Sequence, residues 1–211
     1  MANLLKYYRR GRQPHGFWGR RAIISMNSKR HAALPEWVFE QLNLPGKIRI
    51  LDVGCGGGAN IGRLLKLCPD CRLTGLDISQ LSIEITTDKN YPAIKDGFCI
   101  VVGGNAVQIP LAKEIFDVVT AFETIYYWTS IDSGFSEAYR VLKPGGMVVI
   151  ANELDGLDPG HEELARAVGG MRIYTPDEIK QCLADAGFTN IRIYQEENKH
   201  FLCVTAIKPK S

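Results

Sequence analysis

A short apolar run leads directly into a cluster of glycines in the first third of the chain. Residues 48–53 read Ile-Arg-Ile-Leu-Asp-Val, a β-branched pattern that predicts a strand, and residues 54–58 read Gly-Cys-Gly-Gly-Gly. Apolar residues at helical spacing follow from Ile61 to Leu67. A strand, a tight glycine turn and a helix start form the front half of a βαβ nucleotide-binding unit. Glycine lets the backbone approach a ligand closely, and the helix N-terminus offers free N–H groups.

An acidic residue, Asp77, ends a second predicted strand about 20 positions beyond the glycine loop. At this place in a βαβ unit, a carboxylate accepts hydrogen bonds from both hydroxyls of a ribose. A carboxylate that caps the helix starting near Ser79 is the alternative interpretation. The glycine spacing of residues 54–59 also satisfies the dinucleotide fingerprint, so the loop alone does not choose between cofactors.

The rest of the chain alternates predicted strands with predicted helices, which indicates a mostly parallel sheet. Strands are predicted at 98–102, 115–122, 147–152, 191–194 and 201–207, and helices at 35–42, 79–87 and 131–142. A further helix starts with Thr175 as N-cap and Glu178 closing a capping box, and it is predicted to stop at Gly187. Residues 155–170 are predicted to form a loop or a short helical insertion near the carboxyl edge of the sheet.

Five segments of the chain follow one another in an order known from one enzyme family. They are Leu51–Gly58, Gly75–Ser79, Gly104–Ala106 with Ile109-Pro110, Phe116–Val119 and Arg140–Gly146. In these segments the chain resembles the class I S-adenosylmethionine-dependent methyltransferases, in particular the small-molecule, type 11-like members. The resemblance implies an α/β, Rossmann-like fold: a doubly wound, seven-stranded, mostly parallel sheet with an antiparallel last strand and helices on both faces.

The same resemblance implies S-adenosylmethionine as the cofactor, S-adenosylhomocysteine as its product and a small-molecule methyl acceptor. The glycine loop would hold the methionine and ribose part, Asp52 would help to order the loop and, through water, the ligand's ammonium group, and Asn105 and Ala106 would contact adenine. The family more often has aspartate at position 105, and a plain turn residue is the alternative there. The expected cofactor-binding residues are Asp52, Gly54, Gly56, Gly58, Asp77, Ile78, Asn105, Ala106 and Glu123.

The acceptor is expected beside the segment after the fourth predicted strand, residues 122–128. Its three adjacent aromatics suit a flat or apolar substrate, and an aromatic face steadies a sulfonium, although core packing explains them equally well. The motif typical of enzymes that methylate adenine or glutamine nitrogen is absent here. Glu123 and Tyr126 are the candidate catalytic residues, and a base is needed only if the acceptor loses a proton. The weaker candidates for a base are His15, His31 and His161.

The N-terminal segment carries all its charge in one sign. Residues 1–35 contain eight Lys or Arg residues and no Asp or Glu, although the net charge of the whole chain is only +2. We interpret 1–35 as a basic arm or lid and 36–211 as the cofactor-binding domain. A transit peptide, a nucleic-acid-binding arm and a solvated arm that packs its aromatics are the alternatives. A lid or packed arm is preferred, and nucleic acid is not an expected partner.

Composition indicates one domain that is not a membrane protein. The chain has 211 residues, 45% of them hydrophobic, and no stretch approaches the roughly 18 apolar residues of a span. Six cysteines spread over core-like segments indicate a reduced, cytoplasmic protein. The pair Cys68 and Cys71 lacks the second ligand pair of a zinc site, so no metal is expected. The oligomeric state is not fixed by the sequence.

Two other function classes stay open at this point. The spacing of Tyr91 and Lys95 matches the pair found in short-chain dehydrogenases that use nicotinamide cofactors. It lies before the fourth predicted strand, and Pro92 is expected to break the helix that the pair needs. A protein that binds the cofactor without turnover is the other alternative, because the glycine loop and Asp77 serve binding alone equally well.

Overall fold

One seven-stranded sheet forms the centre of the protein in a computed structural model, which describes Leu5, Tyr8, Arg9, Pro14, residues 16–26 and residues 32–210. The strands lie in the order β3-β2-β1-β4-β5-β7-β6. The first five strands pair in parallel, and β7 is antiparallel to both its neighbours. The predicted fold class is confirmed. The strands are β1 (Arg49–Val53), β2 (Arg72–Asp77), β3 (Cys99–Gly103), β4 (Phe116–Phe122), β5 (Leu142–Asn152), β6 (Thr189–Glu196) and β7 (Phe201–Ile207).

Helices cover both faces of the sheet and enclose two apolar clusters. One cluster contains Phe135 and Leu183 and the other contains Val38 and Leu64, so each face is packed by helical side chains. None of the helices that the structure describes is long and apolar enough to cross a bilayer. The helices are α1 (Gly16–Met26), α2 (Ala33–Glu40), α3 (Ala59–Leu67), α4 (Gln80–Lys89), α5 (Tyr91–Lys95), α6 (Ile131–Val141), α7 (Pro159–Val168) and α8 (Pro176–Asp185).

Local capping explains where several helices begin and end. The hydroxyl of Ser79 caps α4 by accepting a hydrogen bond from the Ser82 amide. The capping box of Thr175 and Glu178 at the start of α8 is present as predicted, and the chain leaves α8 through Gly187 at φ +96°. Each bond satisfies a backbone donor that the first helical turn would leave without a partner.

Two predictions about elements were wrong in detail. Strand β5 begins at Leu142 rather than at Met147, because Leu142 already pairs with Phe116 before a register shift in β4. Pro92 does not break a helix: it lies in the first turn of α5, where a missing backbone N–H is tolerated. Helix α7 occupies most of the segment 155–170 that was predicted as a loop or short helical insertion.

Parts of the N-terminal segment pack on the sheet domain. The ring of Tyr8 is buried in the larger apolar cluster, and Ile23 in α1 is buried as well. Helix α2 starts at Ala33, so the proposed boundary between residues 35 and 36 falls inside a helix. His15 and His31, the candidate bases of this segment, lie outside the described residues.

Candidate active site

A cavity of 270 Å³ opens at the carboxyl ends of the central strands. Residues after β1, β2, β3 and β4 line it, and the order of the strands reverses between β1 and β4. Ligands of open α/β sheets bind at this switch point, because the loops on either side diverge there. The N-terminal segment closes part of the wall through Pro14 and Ile23, and Leu34 of α2 adds to it.

The glycine loop forms one side of the cavity. Gly54 has φ +73°, and a Cβ at this position would lie 2.3 Å from Oγ1 of Thr124, so only glycine allows the loop to pass the segment after β4. At Gly56, a Cβ would meet no protein atom closer than 4.0 Å, so space is open above the loop. Gly58 is not on the cavity wall; its carbonyl accepts a hydrogen bond from Nδ2 of Asn90 at 3.1 Å, which fixes the end of the loop.

The carboxylate of Asp77 lies on the cavity wall and also holds the loop. Its Oδ2 accepts from the Gly56 amide at 2.8 Å and its Oδ1 from the Ser79 amide at 2.8 Å. Burial raises the pKa of Asp77, and these two hydrogen bonds oppose the rise. Since Ser79 is the N-cap of α4, Asp77 is not. A carboxylate has about four acceptor positions, so capacity remains for two ligand hydroxyls.

Residues after β2 and β3 form the neighbouring part of the wall. Ile78, Asn105 and Ala106 all line the cavity, and Ile78 is 58% exposed. Oδ1 of Asn105 accepts from the Val107 amide at 3.1 Å, so this side chain serves the local turn. The turn interpretation and a ligand contact are compatible, because an amide oxygen has two lone pairs.

Asp52 lies beneath the loop and not on the cavity wall. It is only 2% exposed, and its Oδ1 accepts from Oγ1 of Thr120 at 2.7 Å. Burial raises the pKa of Asp52 to about 7, the hydrogen bond from Thr120 opposes this, and the nearby charge of Asp77 adds to it. Asp52 therefore acts on a ligand only through the loop and the neighbouring carboxylate.

Glu123 faces the glycine loop from the end of β4. Its backbone has φ +58°, a left-handed conformation that costs a non-glycine residue about 1–3 kcal/mol. Its Oε2 accepts from the hydroxyl of Tyr8 at 3.2 Å, and its Oε1 accepts from the hydroxyl of Tyr126 at 3.1 Å and from the amide of Glu153. Burial, followed by the charge of Glu153, raises the pKa of Glu123 to about 8, and the three hydrogen bonds oppose that rise.

Tyr126 is fully buried and does not line the cavity. Its hydroxyl accepts from the Leu154 amide at 2.9 Å, and its ring packs edge-to-face on Tyr8 with the centroids 6.0 Å apart. Burial raises the pKa of Tyr126 well above its usual value, so this phenol keeps its proton. Tyr127 and Trp128 do line the cavity, so of the three adjacent aromatics two face the ligand space and one is core.

Several residues that line the cavity or bind its lining residues were missed by the sequence analysis. Asn60 and Arg63 follow the glycine loop, so their position in the first two turns of α3 was a usable signal. Thr124 directly follows the predicted site residue Glu123 after β4. Glu153 directly follows β5, and its amide binds the carboxylate of Glu123. Tyr8 carried no local signal, because its contact with Glu123 joins residues 115 positions apart.

The other candidate motifs lie away from the cavity. His161 accepts from the Gly156 amide at 3.2 Å beside Asp155, and burial lowers its pKa. Tyr91 is exposed on α5. Burial raises the pKa of Cys71 to about 12. Within the described part of the chain, no three His, Cys, Asp or Glu side chains are grouped to hold a metal ion.

Comparison with known proteins identifies the central part of the chain. Residues 51–150 match the family model described as a methyltransferase domain. The chain contains a class I S-adenosylmethionine-dependent methyltransferase domain. It is similar to an uncharacterized methyltransferase, YdaC, of Bacillus subtilis, with 28% identity over 83% of this chain and 92% of that protein.

Two further matches bear on the methyltransferase domain. A sterol 24-C-methyltransferase of Candida albicans is 29% identical over 72% of this chain and 43% of its own length. The fold matches a methyltransferase structure from Aquifex aeolicus with a TM-score of 0.74 and 20% identity, covering 90% of this chain and 98% of that one. The chain spans between 43% and 65% of the length of the first curated relatives that it matches.

Proposed function

We propose that the protein transfers the methyl group of S-adenosylmethionine to a flat or apolar small molecule by direct displacement. The observation that carries this proposal is the shared cavity of Asp77, Gly56 and Glu123 at the switch point of the sheet. The two carboxylates face it from the ends of neighbouring halves of the sheet, so one is available to a ribose and the other to a reacting group.

The residues present fit the cofactor. Open space above Gly56 allows a ligand to approach backbone N–H groups, and Asp77 retains acceptor positions for two ribose hydroxyls. Ile78 and Ala106 offer apolar surface to a purine on the same wall, and Asn105 offers an amide oxygen. Asp52 and Gly58 support the loop without touching the ligand. Glu123 lies within the wall on the side of the reacting group.

The cofactor supplies a sulfonium-bound methyl group with an excellent leaving group, so alignment and exclusion of water account for much of the rate. Glu123 accepts the proton of an O–H or N–H acceptor when its carboxylate is ionised. Tyr126, which was predicted to be catalytic, is a positioning residue in this proposal, because its hydroxyl reaches the site only through Glu123. Tyr8 acts on the other oxygen of the same carboxylate.

The cavity walls support an apolar or aromatic acceptor. Phe122, Tyr127 and Trp128 contribute aromatic side chains to the lining, and Ile23 and Leu34 contribute aliphatic ones. The relative from Candida albicans, named for a sterol substrate, supports the same chemical class. A volume of 270 Å³ is below the roughly 300–1,000 Å³ usual for one ligand pocket, so we expect part of the wall to move when cofactor and acceptor bind together.

We place the protein in the cytoplasm, with a small molecule rather than a nucleic acid as its partner. All six cysteines are free thiols and five of them are buried, which supports a reducing compartment. The aromatic part of the cavity lining, with Phe122, Tyr127 and Trp128, supports a free small molecule as the acceptor.

Calorimetric titration tests the cofactor assignment. S-adenosylmethionine and S-adenosylhomocysteine should each bind one site per chain, whereas NAD should give no heat at the same concentrations. Tight binding of NAD would overturn the assignment in favour of the dehydrogenase alternative.

A further inference from the structure

Helix α1 presents an exposed aromatic surface to solvent. Phe17, Trp18 and Ile24 are 66%, 64% and 53% exposed, and the guanidinium of Arg21 lies 5.8 Å from the centroid of the Phe17 ring. At 3.6 residues per turn these four side chains share one side of the helix, which we call the α1 outer face. Scattered exposed apolar residues are normal on proteins, but three large ones on one 11-residue helix indicate an interaction surface.

The opposite side of α1 fixes the helix against the cofactor domain. Gly19 packs so closely on Pro14 that a Cβ would lie 2.8 Å from its carbonyl carbon. Arg20 pairs with Asp88 of α4 at 3.8 Å, and the buried Ile23 lies on the cavity wall. The outer face therefore points away from the domain because the inner side is already occupied.

The cavity mouth lies next to this helix. Ile78 is on the cavity wall and is itself exposed. The adjacent Ser79 hydroxyl donates to the carbonyl of Pro14 at 3.3 Å, and Pro14 contacts Gly19 of α1. A surface that covered the α1 outer face would thus lie beside the entrance that an acceptor would use.

The charge of the segment selects the kind of partner. Helix α1 has two arginines and no acid, and residues 1–35 carry eight basic side chains and no acidic one. Aromatic rings at the level of the headgroups and cations facing anionic lipids are the two features by which interfacial helices bind bilayers. A second copy of the chain is a poorer partner, because a two-fold contact would bring two like-charged faces together.

We propose that the α1 outer face docks the protein reversibly on an anionic lipid surface. Phe17, Trp18 and Ile24 enter the interface, and Arg21 faces the phosphate groups. The docking is a binding event that does not depend on methyl transfer, and it holds even if the proposed activity is wrong. If the activity is right, docking brings the cavity mouth beside a lipid-dissolved acceptor.

Vesicle flotation of the full-length protein tests the docking. Vesicles of phosphatidylcholine alone are compared with vesicles containing about one third phosphatidylglycerol at about 0.15 M salt. The protein should float with the anionic vesicles and remain behind with the neutral ones. The double variant Phe17→Ser/Trp18→Ser and the single variant Arg21→Glu should each lower the partition coefficient about tenfold or more. Trp18→Phe should remove most of the blue shift in tryptophan emission on docking.

Matched variants elsewhere make the result specific. Ile100→Ser changes an exposed apolar residue on β3, and Arg192→Glu reverses an exposed charge on β6. Both should float like the parent, and circular dichroism together with cofactor titration should show that every variant is folded. Absence of flotation by the parent, or equal losses in the control variants, would overturn the proposal. The proposal would also be overturned if the protein did not bind vesicles and instead formed a concentration-dependent dimer that Phe17→Ser/Trp18→Ser abolishes.

Discussion

The carboxylate of Glu123 accepts hydrogen bonds from the N-terminal segment and from the segments that follow β4 and β5. The N-terminal Tyr8 binds one oxygen, and Tyr126 with the amide of Glu153 binds the other. A side chain in an unfavourable backbone conformation, with three neighbours fixing its orientation and charge, is typical of a functional site. Burial and the charge of Glu153 raise its pKa to about 8, so ionisation of this carboxyl falls within the range of ordinary assays.

The substitution Glu123→Gln tests the role of this carboxylate. If Glu123 accepts a proton, cofactor affinity should stay nearly unchanged while turnover falls by roughly 100-fold or more. For the parent, kcat should rise with pH, with the midpoint of the rise near the pKa of about 8, because only the ionised form accepts a proton. That rise should be absent in the glutamine variant. Weak cofactor binding with normal turnover at saturation would instead make Glu123 part of the cofactor pocket.

The substitution Tyr8→Phe isolates the contribution of the N-terminal segment to the same group. The hydrogen bond from Tyr8 lowers the pKa of Glu123, so its loss should shift the pH profile of kcat toward higher pH. At neutral pH, kcat should therefore fall a few-fold. Tyr91→Phe removes an exposed hydroxyl on α5 and serves as the control. A profile identical to that of the parent would show that the contact has no influence on the reaction.

At the scale of elements, the glycine loop is joined to strand β2 by the side chain of Asp77 and by two backbone hydrogen bonds to the Leu76 carbonyl. The carboxylate of Asp77 binds the Gly56 amide from the end of the neighbouring strand, so it shapes the loop as well as facing the ligand space. The strand, loop and helix were predictable from residues 48–77, because their signals are local. The early start of β5 was not, because a register shift in the neighbouring β4 decides it.

Asp77→Ala should weaken binding of S-adenosylmethionine about 10–100-fold, since charge-assisted hydrogen bonds contribute roughly 1.5–3 kcal/mol. Asp77→Asn retains an acceptor for the Gly56 amide and should lose less affinity than the alanine variant. Calorimetry of both variants separates loop order from ribose binding. Unchanged affinity in the folded alanine variant would contradict the ribose assignment.

At the scale of the whole molecule, the N-terminal segment completes a cavity that the sheet domain only begins. The type of sheet and the placement of the glycine loop and Asp77 were predicted from motifs in the sequence. The closing contacts of Tyr8, Pro14 and Ile23 were not, because no local pattern specifies a partner so distant in the chain. Gly58 was predicted to hold the cofactor and Asp52 to order the loop and, through water, the ammonium group, and tertiary packing puts both residues behind the cavity wall.

Deletion of residues 1–15 tests whether the N-terminal segment is a lid. The truncated protein retains α1, which begins at Gly16. The remaining chain should fold, because the strands of the sheet begin at Arg49. Release of S-adenosylhomocysteine, followed by stopped-flow fluorescence, should quicken about tenfold, and methyl transfer should fall as water enters the site. If neither rate changes in a folded truncation, the segment only packs on the domain and does not act as a lid.

Transfer of a radiolabelled methyl group tests the central claim most directly. The protein is incubated with labelled S-adenosylmethionine and a panel of flat and apolar acceptors, and label is counted in the organic extract. We expect label to enter at least one acceptor with the parent, and to fall by roughly 100-fold or more with Glu123→Gln at saturating cofactor. Cofactor binding by calorimetry without label in any acceptor would contradict the account, and the cavity would then serve binding without turnover.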